Sequence, residues 1–150
     1  MPDDSDLIAL YSSRILALAA DIPHAELLQE PMAQVRKRAP LCGSNVAVSL
    51  DFDQGKITRF GQDVKACALG QTSASILGAQ AIGATESQIQ TARDQLYALL
   101  KNDGPTPDSP FEAYEVLRPA RSYKNRHASI MLAVEATLEA INDTKKKAQP

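Results

Sequence analysis

The sequence predicts an α+β fold in which a small antiparallel sheet of about three strands packs against several helices. Two observations predict the sheet: the run VAVSLDF alternates apolar and polar residues, and the following DQGK is typical of a β-hairpin turn. The third observation is a change of period, because apolar residues on both sides of this region recur every three or four positions. The chain therefore combines one hairpin-based sheet with amphipathic helices.

The N-terminal part of the chain predicts one helix and then a loop. Helical spacing indicates a helix over residues 5–20, capped by Ser5 or Asp6. The apolar residues at this spacing are Ile8, Tyr11, Ile15 and Leu18. Three prolines and the basic run Arg36-Lys37-Arg38 indicate a loop over most of 21–40.

The hairpin follows this loop. We expect a half-buried strand over 46–52, a turn at 53–56 and an antiparallel partner over 57–66. A glycine inside the second strand, Gly61, suggests a bulge or a bend.

The rest of the chain predicts helices. Small, helix-tolerant residues begin at Ala68, and Thr85-Glu86-Ser87-Gln88 fits a capping box that opens a second helix. Its inward residues are Ile89, Ala92, Leu96 and Leu99. A short helix over 109–117 and a basic connector precede a last helix that begins near Asn125, and we expect a disordered tail at 143–150. The inward residues of the last helix are Ile130, Val134, Leu138 and Ile141.

Length and composition limit the class of protein. The 150 residues predict a single domain, 1–150, and a net charge of −2 gives no basis for nucleic-acid binding. No apolar run approaches the roughly 20 residues that span a bilayer. Because the start MPDDSD is acidic, it lacks the basic segment of a secretory signal. We therefore expect a cytoplasmic protein without a membrane partner, in which the two cysteines stay reduced.

Three residues with metal-ligand chemistry fall at the ends of predicted elements. Cys42 lies in a turn before the first strand of the hairpin, Cys67 where the second strand gives way to a helix, and His127 in the first turn of the last helix. The start of one hairpin strand lies beside the end of the other, so the two thiols are expected to be close. A helix N-terminus favours thiolate and neutral imidazole, the forms that bind metal.

Each of these residues also has an ordinary structural interpretation. A lone cysteine is most often a small core residue, and a histidine at a helix start can simply bond a backbone carbonyl. His24 is expected at the surface, and the basic run at 36–38 is typical of a solvated patch. Spacing alone thus indicates a metal or thiol site without specifying it.

Three segments resemble the ligand segments of the iron–sulfur cluster scaffold family, the U-type or NifU N-terminal-like proteins. They are PLCGS, VKACALGQTSASIL and RHASIM, and the resemblance extends from the first helix to about Asn142. The long interval between Cys67 and His127 is similar to the SUF-type branch. The resemblance implies the NifU/IscU-like fold and a scaffold that is not an enzyme.

The resemblance also implies a cargo and partners. Such proteins accept sulfur from a cysteine desulfurase, gather iron and pass a labile 2Fe–2S cluster to recipient apoproteins, and some bind zinc instead. By match of segments, Cys42, Cys67 and His127 are the implied ligands. A homodimer is one implied source of a further ligand, besides a small thiol or a desulfurase cysteine.

Two departures from the family pattern leave a second interpretation open. Ala128 stands where the family usually has its third cysteine, and Ser44 where it usually has an aspartate. Because ligands are missing, the chain could also be a degenerate adaptor or regulator that binds the assembly machinery without carrying a cluster. A Cys–His hydrolase is poorly supported, since no orienting residue or oxyanion turn is recognisable beside Cys42.

Overall fold

The computed structural model describes residues 11–148 and has the predicted α+β architecture. Helix α1 (Ser13–Ala20) is followed by three strands, β1 (Ala33–Arg38), β2 (Asn45–Asp53) and β3 (Lys56–Lys65). Helices α2 (Ala68–Ala81) and α3 (Glu86–Asn102) come next, then two 3₁₀ segments (Glu112–Ser122 and Lys124–Arg126) and helix α4 (His127–Ala148). No helix within 11–148 is both long and apolar enough to cross a membrane.

The sheet has the strand order β1-β2-β3, and both pairs are antiparallel. In the register, Arg38 at the end of β1 faces Asn45 at the start of β2, which in turn faces Lys65 at the end of β3. The loop 39–44 and the junction 66–67 therefore lie at the same edge of the sheet. This edge, defined by residues 39–44 and 66–67, is called the thiol edge below.

Strand β1 corrects the prediction of a loop over most of 21–40. Its alternating burial places Ala33 and Val35 inward between polar residues, but two inward positions are a weak signal in the sequence. The strand forms because β2 supplies its hydrogen bonds, and that pairing is not local. Its polar and basic outward residues suit an edge strand, which must not pair with other chains.

The central strand β2 is buried on both faces at residues 45–50, which corrects the prediction of a half-buried strand. Helix α4 packs on the sheet, and the loop near Glu26 and Leu28 covers the opposite face. The expected bulge at Gly61 is absent, since the irregularity lies at Asp51/Phe52. Gly61 is needed for close approach, because a Cβ there would overlap the carbonyl oxygen of Glu26.

The structure has helical segments where the sequence predicted them, but their first and last residues differ, and one of them is a 3₁₀ segment. The part of the first predicted helix before Tyr11, with its caps Ser5 and Asp6, lies outside the described residues. The capping box is confirmed, since Thr85 Oγ1 accepts from Gln88 N at 3.1 Å and Gln88 Oε1 accepts from Thr85 N at 2.9 Å. The predicted helix at 109–117 is instead a 3₁₀ segment that contains Pro119.

The C-terminal tail is ordered as helix over most of the range that was expected to be disordered. Helix α4 continues to Ala148, so only 149–150 of the range 143–150 lie outside the described residues. Lys145 Nζ lies 2.8 Å from Glu86 Oε1, and Lys147 Nζ donates to the carbonyl of Met32 at 2.9 Å. These contacts tie the last turns of α4 to α3 and to the start of β1.

Candidate functional site

A tight turn exposes Cys42 at the thiol edge. Ala39 N donates to Ser44 O at 2.8 Å and Gly43 N donates to Ala39 O at 3.3 Å, which closes the turn. Gly43 has φ +74°, a conformation that side chains disfavour. The turn thus leaves Cys42 exposed and Ser44 buried, so the thiol faces outward above a buried hydroxyl.

Cys67 is the N-cap residue of α2. Its carbonyl accepts the first bond of the helix, from Gln71 N at 2.9 Å, and its side chain makes no capping bond. The side chain is half-buried and packs against the core. Its sulfur therefore remains available for other contacts at the start of the helix.

Two serine hydroxyls join the two thiols. Cys42 Sγ donates to Ser44 Oγ at 3.3 Å, Ser129 Oγ donates to Ser44 Oγ at 3.0 Å, and Cys67 Sγ lies 3.5 Å from Ser129 Oγ. The structure thus brings Cys42 and Cys67 to one hydrogen-bonded group, as the hairpin geometry predicts. This group of four side chains, Cys42, Ser44, Cys67 and Ser129, is called the thiol pair site.

Ser129 is the member of this site that the sequence did not reveal as a contact. It lies on α4 and is only 1% exposed. Gly70 on α2 makes room for it, since a Cβ at Gly70 would lie 2.6 Å from Ser129 Oγ. The signal in the sequence is its place two residues after His127 in RHASIM, together with Gly70 in the first turn of α2.

His127 is not brought into this site. It is 2% exposed, and its Nε2 lies 3.0 Å from the carbonyl oxygen of Ala120 in the longer 3₁₀ segment. Because a carbonyl can only accept, Nε2 carries the proton and Nδ1 keeps its lone pair. No group of three or more Cys, His, Asp or Glu side chains that could hold a metal ion occurs in residues 11–148. The expected set of two thiols and one imidazole is therefore not assembled in this structure.

The surroundings of Cys42 favour its thiolate. The pKa of the Cys42 thiol is lowered, first by the Ser44 hydroxyl and the Ser44 backbone N–H, and further by Ser129 and Arg126, while partial burial opposes them. Burial lowers the pKa of His127, because the charged imidazolium loses its hydration. Cys42 therefore combines exposure with a stabilised anion, which are the properties of a reactive cysteine.

Comparison with known proteins shows the family. No known family model matches the chain, and neither does any curated protein. Among solved structures, the N-terminal part of a nitrogen-fixing NifU-like protein from Brucella abortus is 39% identical over 95% of this chain and 99% of that chain, with a TM-score of 0.92. The chain belongs to the NifU-like family. This confirms the resemblance and the fold class that the three segments predicted.

A second similar structure supports the fold of this NifU-like chain. It is described as an iron–sulfur cluster assembly scaffold protein for the SUF system from Fervidobacterium islandicum. It is 17% identical, has a TM-score of 0.77, and aligns over 89% of this chain and 98% of that chain. At this identity the likeness concerns the fold alone.

Proposed function

We propose that this NifU-like protein is a scaffold in iron–sulfur cluster assembly whose thiol pair site binds iron or a labile cluster through Cys42 and Cys67. The observation that carries this proposal is the meeting of two thiols, far apart along the chain, at one exposed edge of the sheet. Membership of the NifU-like family, shown by the 39% identical structure, supports the same role. Thiolates are the usual ligands of iron–sulfur clusters.

Cys42 is the proposed acceptor of sulfur from a cysteine desulfurase. Its thiolate attacks the terminal sulfur of the desulfurase persulfide, the S–S bond there breaks, and the desulfurase cysteine leaves as thiolate. The new persulfide stands on Cys42, and no external oxidant or reductant is consumed. Exposure of Cys42 and the hydrogen bonds around it support this assignment over Cys67.

Ligand number sets the stability of the proposed complex. A 2Fe–2S cluster needs four ligands, and this chain supplies two thiolates at the thiol pair site. The remaining ligands must come from a small thiol, a desulfurase cysteine or a second protomer. Two neutral hydroxyls beside the thiols are weak ligands, so the bound cargo is expected to be labile. Zinc, which also binds thiolate ligands, is the alternative cargo.

Anaerobic reconstitution with iron and sulfide tests this proposal. The wild type is expected to develop a visible charge-transfer band, and Cys42→Ser or Cys67→Ser to abolish it. Absence of a band, together with no bound metal by elemental analysis, would overturn the cargo assignment.

A non-carrying adaptor is the second candidate. It is favoured because His127 bonds the Ala120 carbonyl and because no three-residue metal-ligand group is formed among residues 11–148. An adaptor would still bind the desulfurase when both cysteines are replaced. We therefore propose a pull-down with the double variant Cys42→Ser/Cys67→Ser in parallel with metal analysis. Retained binding with no metal in the wild type supports the adaptor. Metal in the wild type excludes it.

A further inference from the structure

Basic residues border the thiol edge. The segments 38–44, 65–67 and 124–129 meet at the thiol pair site, and together they hold four basic residues and no Asp or Glu. The whole chain has 18 acidic and 16 basic residues, so this part of the surface departs from the overall balance. The four basic residues, called the basic rim below, are Arg38, Lys65, Lys124 and Arg126.

The cations of the basic rim have no acidic partners. None of the four has a carboxylate oxygen within 4 Å in residues 11–148, whereas the preceding cations of β1 do: Arg36 pairs with Asp63 at 2.8 Å and Lys37 with Glu139 at 3.2 Å. Three members of the rim are exposed, and Arg126 is half-buried. The rim therefore presents its positive charge to the outside.

Two different layers of the fold supply the rim. Arg38 and Lys65 end β1 and β3, where both strands pair with the same residue of β2, so the two cations lie on one face of the sheet. Arg126 immediately precedes α4, and its charge adds to the hydrogen bonds from Ser44 that lower the pKa of the Cys42 thiol. Cations thus reach the thiol edge from the sheet and from α4.

Leu41 is an apolar residue within this positive surface. It is 87% exposed, the highest value among the exposed large hydrophobic residues of the described part of the chain. A single exposed leucine is ordinary on a protein surface. Leu41, however, adjoins Cys42 in an exposed turn, so a protein that brings a sulfur atom into contact with Cys42 also covers Leu41. An apolar anchor inside a charged rim is the usual arrangement of a protein interface.

We propose that Leu41 and the basic rim form the docking surface for the protein that delivers sulfur to Cys42, and that this partner presents an apolar depression bordered by carboxylates. Leu41 fills the depression, and the rim cations pair with the carboxylates. Charge complementarity assigns an acidic partner, because a positive surface without counter-charges attracts acidic partners and repels basic ones. The identity of the partner rests on the proposed function, whereas the acidic and apolar character of its contact face does not.

Calorimetric titration of the metal-free protein with the cysteine desulfurase, at 50 and 300 mM NaCl, tests the role of charge. Binding should weaken with salt, because ions screen the rim. Arg38→Glu/Lys65→Glu should raise the Kd about tenfold or more at the lower salt concentration. The matched control is Lys56→Glu/Lys146→Glu, which changes the net charge equally at positions about 30 Å away along β3 and α4. It should leave the Kd within about twofold, since screening limits the reach of a distant charge. Equal losses in the two double variants would overturn the rim.

Leu41→Ser tests the apolar anchor. The Kd should rise about tenfold, as expected for an apolar residue at the centre of an interface. Ile82→Ser is the matched control, because Ile82 is 49% exposed but lies at the end of α2 away from Cys67, and it should leave the Kd unchanged. Alkylation by iodoacetamide should be as fast in Leu41→Ser as in the wild type, since the thiol itself is untouched. Unchanged affinity of Leu41→Ser would overturn the anchor.

These titrations can fail independently of the proposed function. Reconstitution with iron and inorganic sulfide needs no desulfurase, so its visible band decides the cargo whatever the titrations show. A wild type that forms the band but does not bind the desulfurase overturns the docking surface. Salt-dependent binding that Leu41→Ser weakens, in a protein with no band and no metal, supports the docking surface and overturns the cargo assignment.

Discussion

At the scale of single residues, the thiol pair site depends on the orientation of the hydrogen bonds around Ser44. When Cys42 ionises, the Ser44 hydroxyl turns to donate to the thiolate, and Ser129 Oγ can continue to donate to Ser44 Oγ at 3.0 Å. Each hydroxyl thus polarises the next, which strengthens the bond to sulfur. The lost aspartate of the family motif is thereby replaced by a neutral donor that still stabilises negative charge on Cys42.

Removal of this donor should shift the reactivity of Cys42. In a Cys67→Ser background, where Cys42 is the one remaining cysteine, Ser44→Ala should move the pH midpoint of alkylation by iodoacetamide upward, because the hydroxyl lowers the thiol pKa. Rates measured from pH 6 to 10 check this. The backbone N–H of residue 44 remains in the variant, so a partial shift is expected. An unchanged midpoint would mean that the hydroxyl does not stabilise the thiolate.

At the scale of elements, the site is assembled where α2 and α4 cross closely. Gly70 on α2 allows this contact, since a Cβ there would lie 2.6 Å from Ser129 Oγ and 2.8 Å from Ala66 Cβ. Gly78, on the same helix, would place a Cβ 2.6 Å from Gln62 Nε2, away from the thiols. An alanine at either glycine would crowd α2, but only the one at Gly70 would press on the thiol pair site. Comparing the two variants therefore separates a general loss of stability from a specific effect on the site.

Gly70→Ala should destabilise the protein and impair the site, and Gly78→Ala should only destabilise it. Overpacking typically costs about 1–3 kcal/mol, part of which the higher helix propensity of alanine offsets. Thermal unfolding and the intensity of the reconstituted band check both variants. Equal bands at equal stability would show that the α2–α4 contact does not position the thiols.

A second element, the longer 3₁₀ segment, is anchored by an ion-pair network. Arg118 contacts Glu115 Oε2 at 2.6 Å and Asp103 Oδ1 at 2.6 Å. The bond from Arg118, with a further bond from Thr106, lowers the pKa of Glu115 to about 2, against the opposing effect of partial burial. This segment also supplies the Ala120 carbonyl that holds His127. The network therefore contributes to the orientation of the imidazole.

The network should make stability depend on pH in a defined direction. The folded-state pKa of Glu115 lies below its ordinary value of 4.5, so its contribution is complete above about pH 4.5 and is lost as pH falls towards 2. Because Glu115 is 41% exposed, the contribution is about 1 kcal/mol or less. Urea unfolding at pH 7 and pH 3 should show a smaller difference for Glu115→Gln than for the wild type. The same difference in both would contradict the assignment.

At the scale of the whole molecule, the features that depend on neighbouring residues in the chain were predicted correctly. Contacts between segments that lie far apart in the chain were not predicted. The hairpin turn, the capping box and the meeting of the two thiols all follow from short stretches of sequence. Strand β1 was missed because its hydrogen bonds come from β2. The contact of His127 with the Ala120 carbonyl was not foreseen, because Ala120 belongs to a 3₁₀ segment whose path the sequence did not show. The three-ligand set that includes His127 stays a prediction.

Metal content after anaerobic purification tests the central claim most directly, that the two cysteines act as one site without His127. We expect iron and acid-labile sulfide, or zinc, in the wild type and in His127→Gln, and loss of both in Cys42→Ser and in Cys67→Ser. Circular dichroism of each variant confirms that it is folded. Metal that survives both cysteine replacements, or that disappears from a folded His127→Gln variant, would contradict the account.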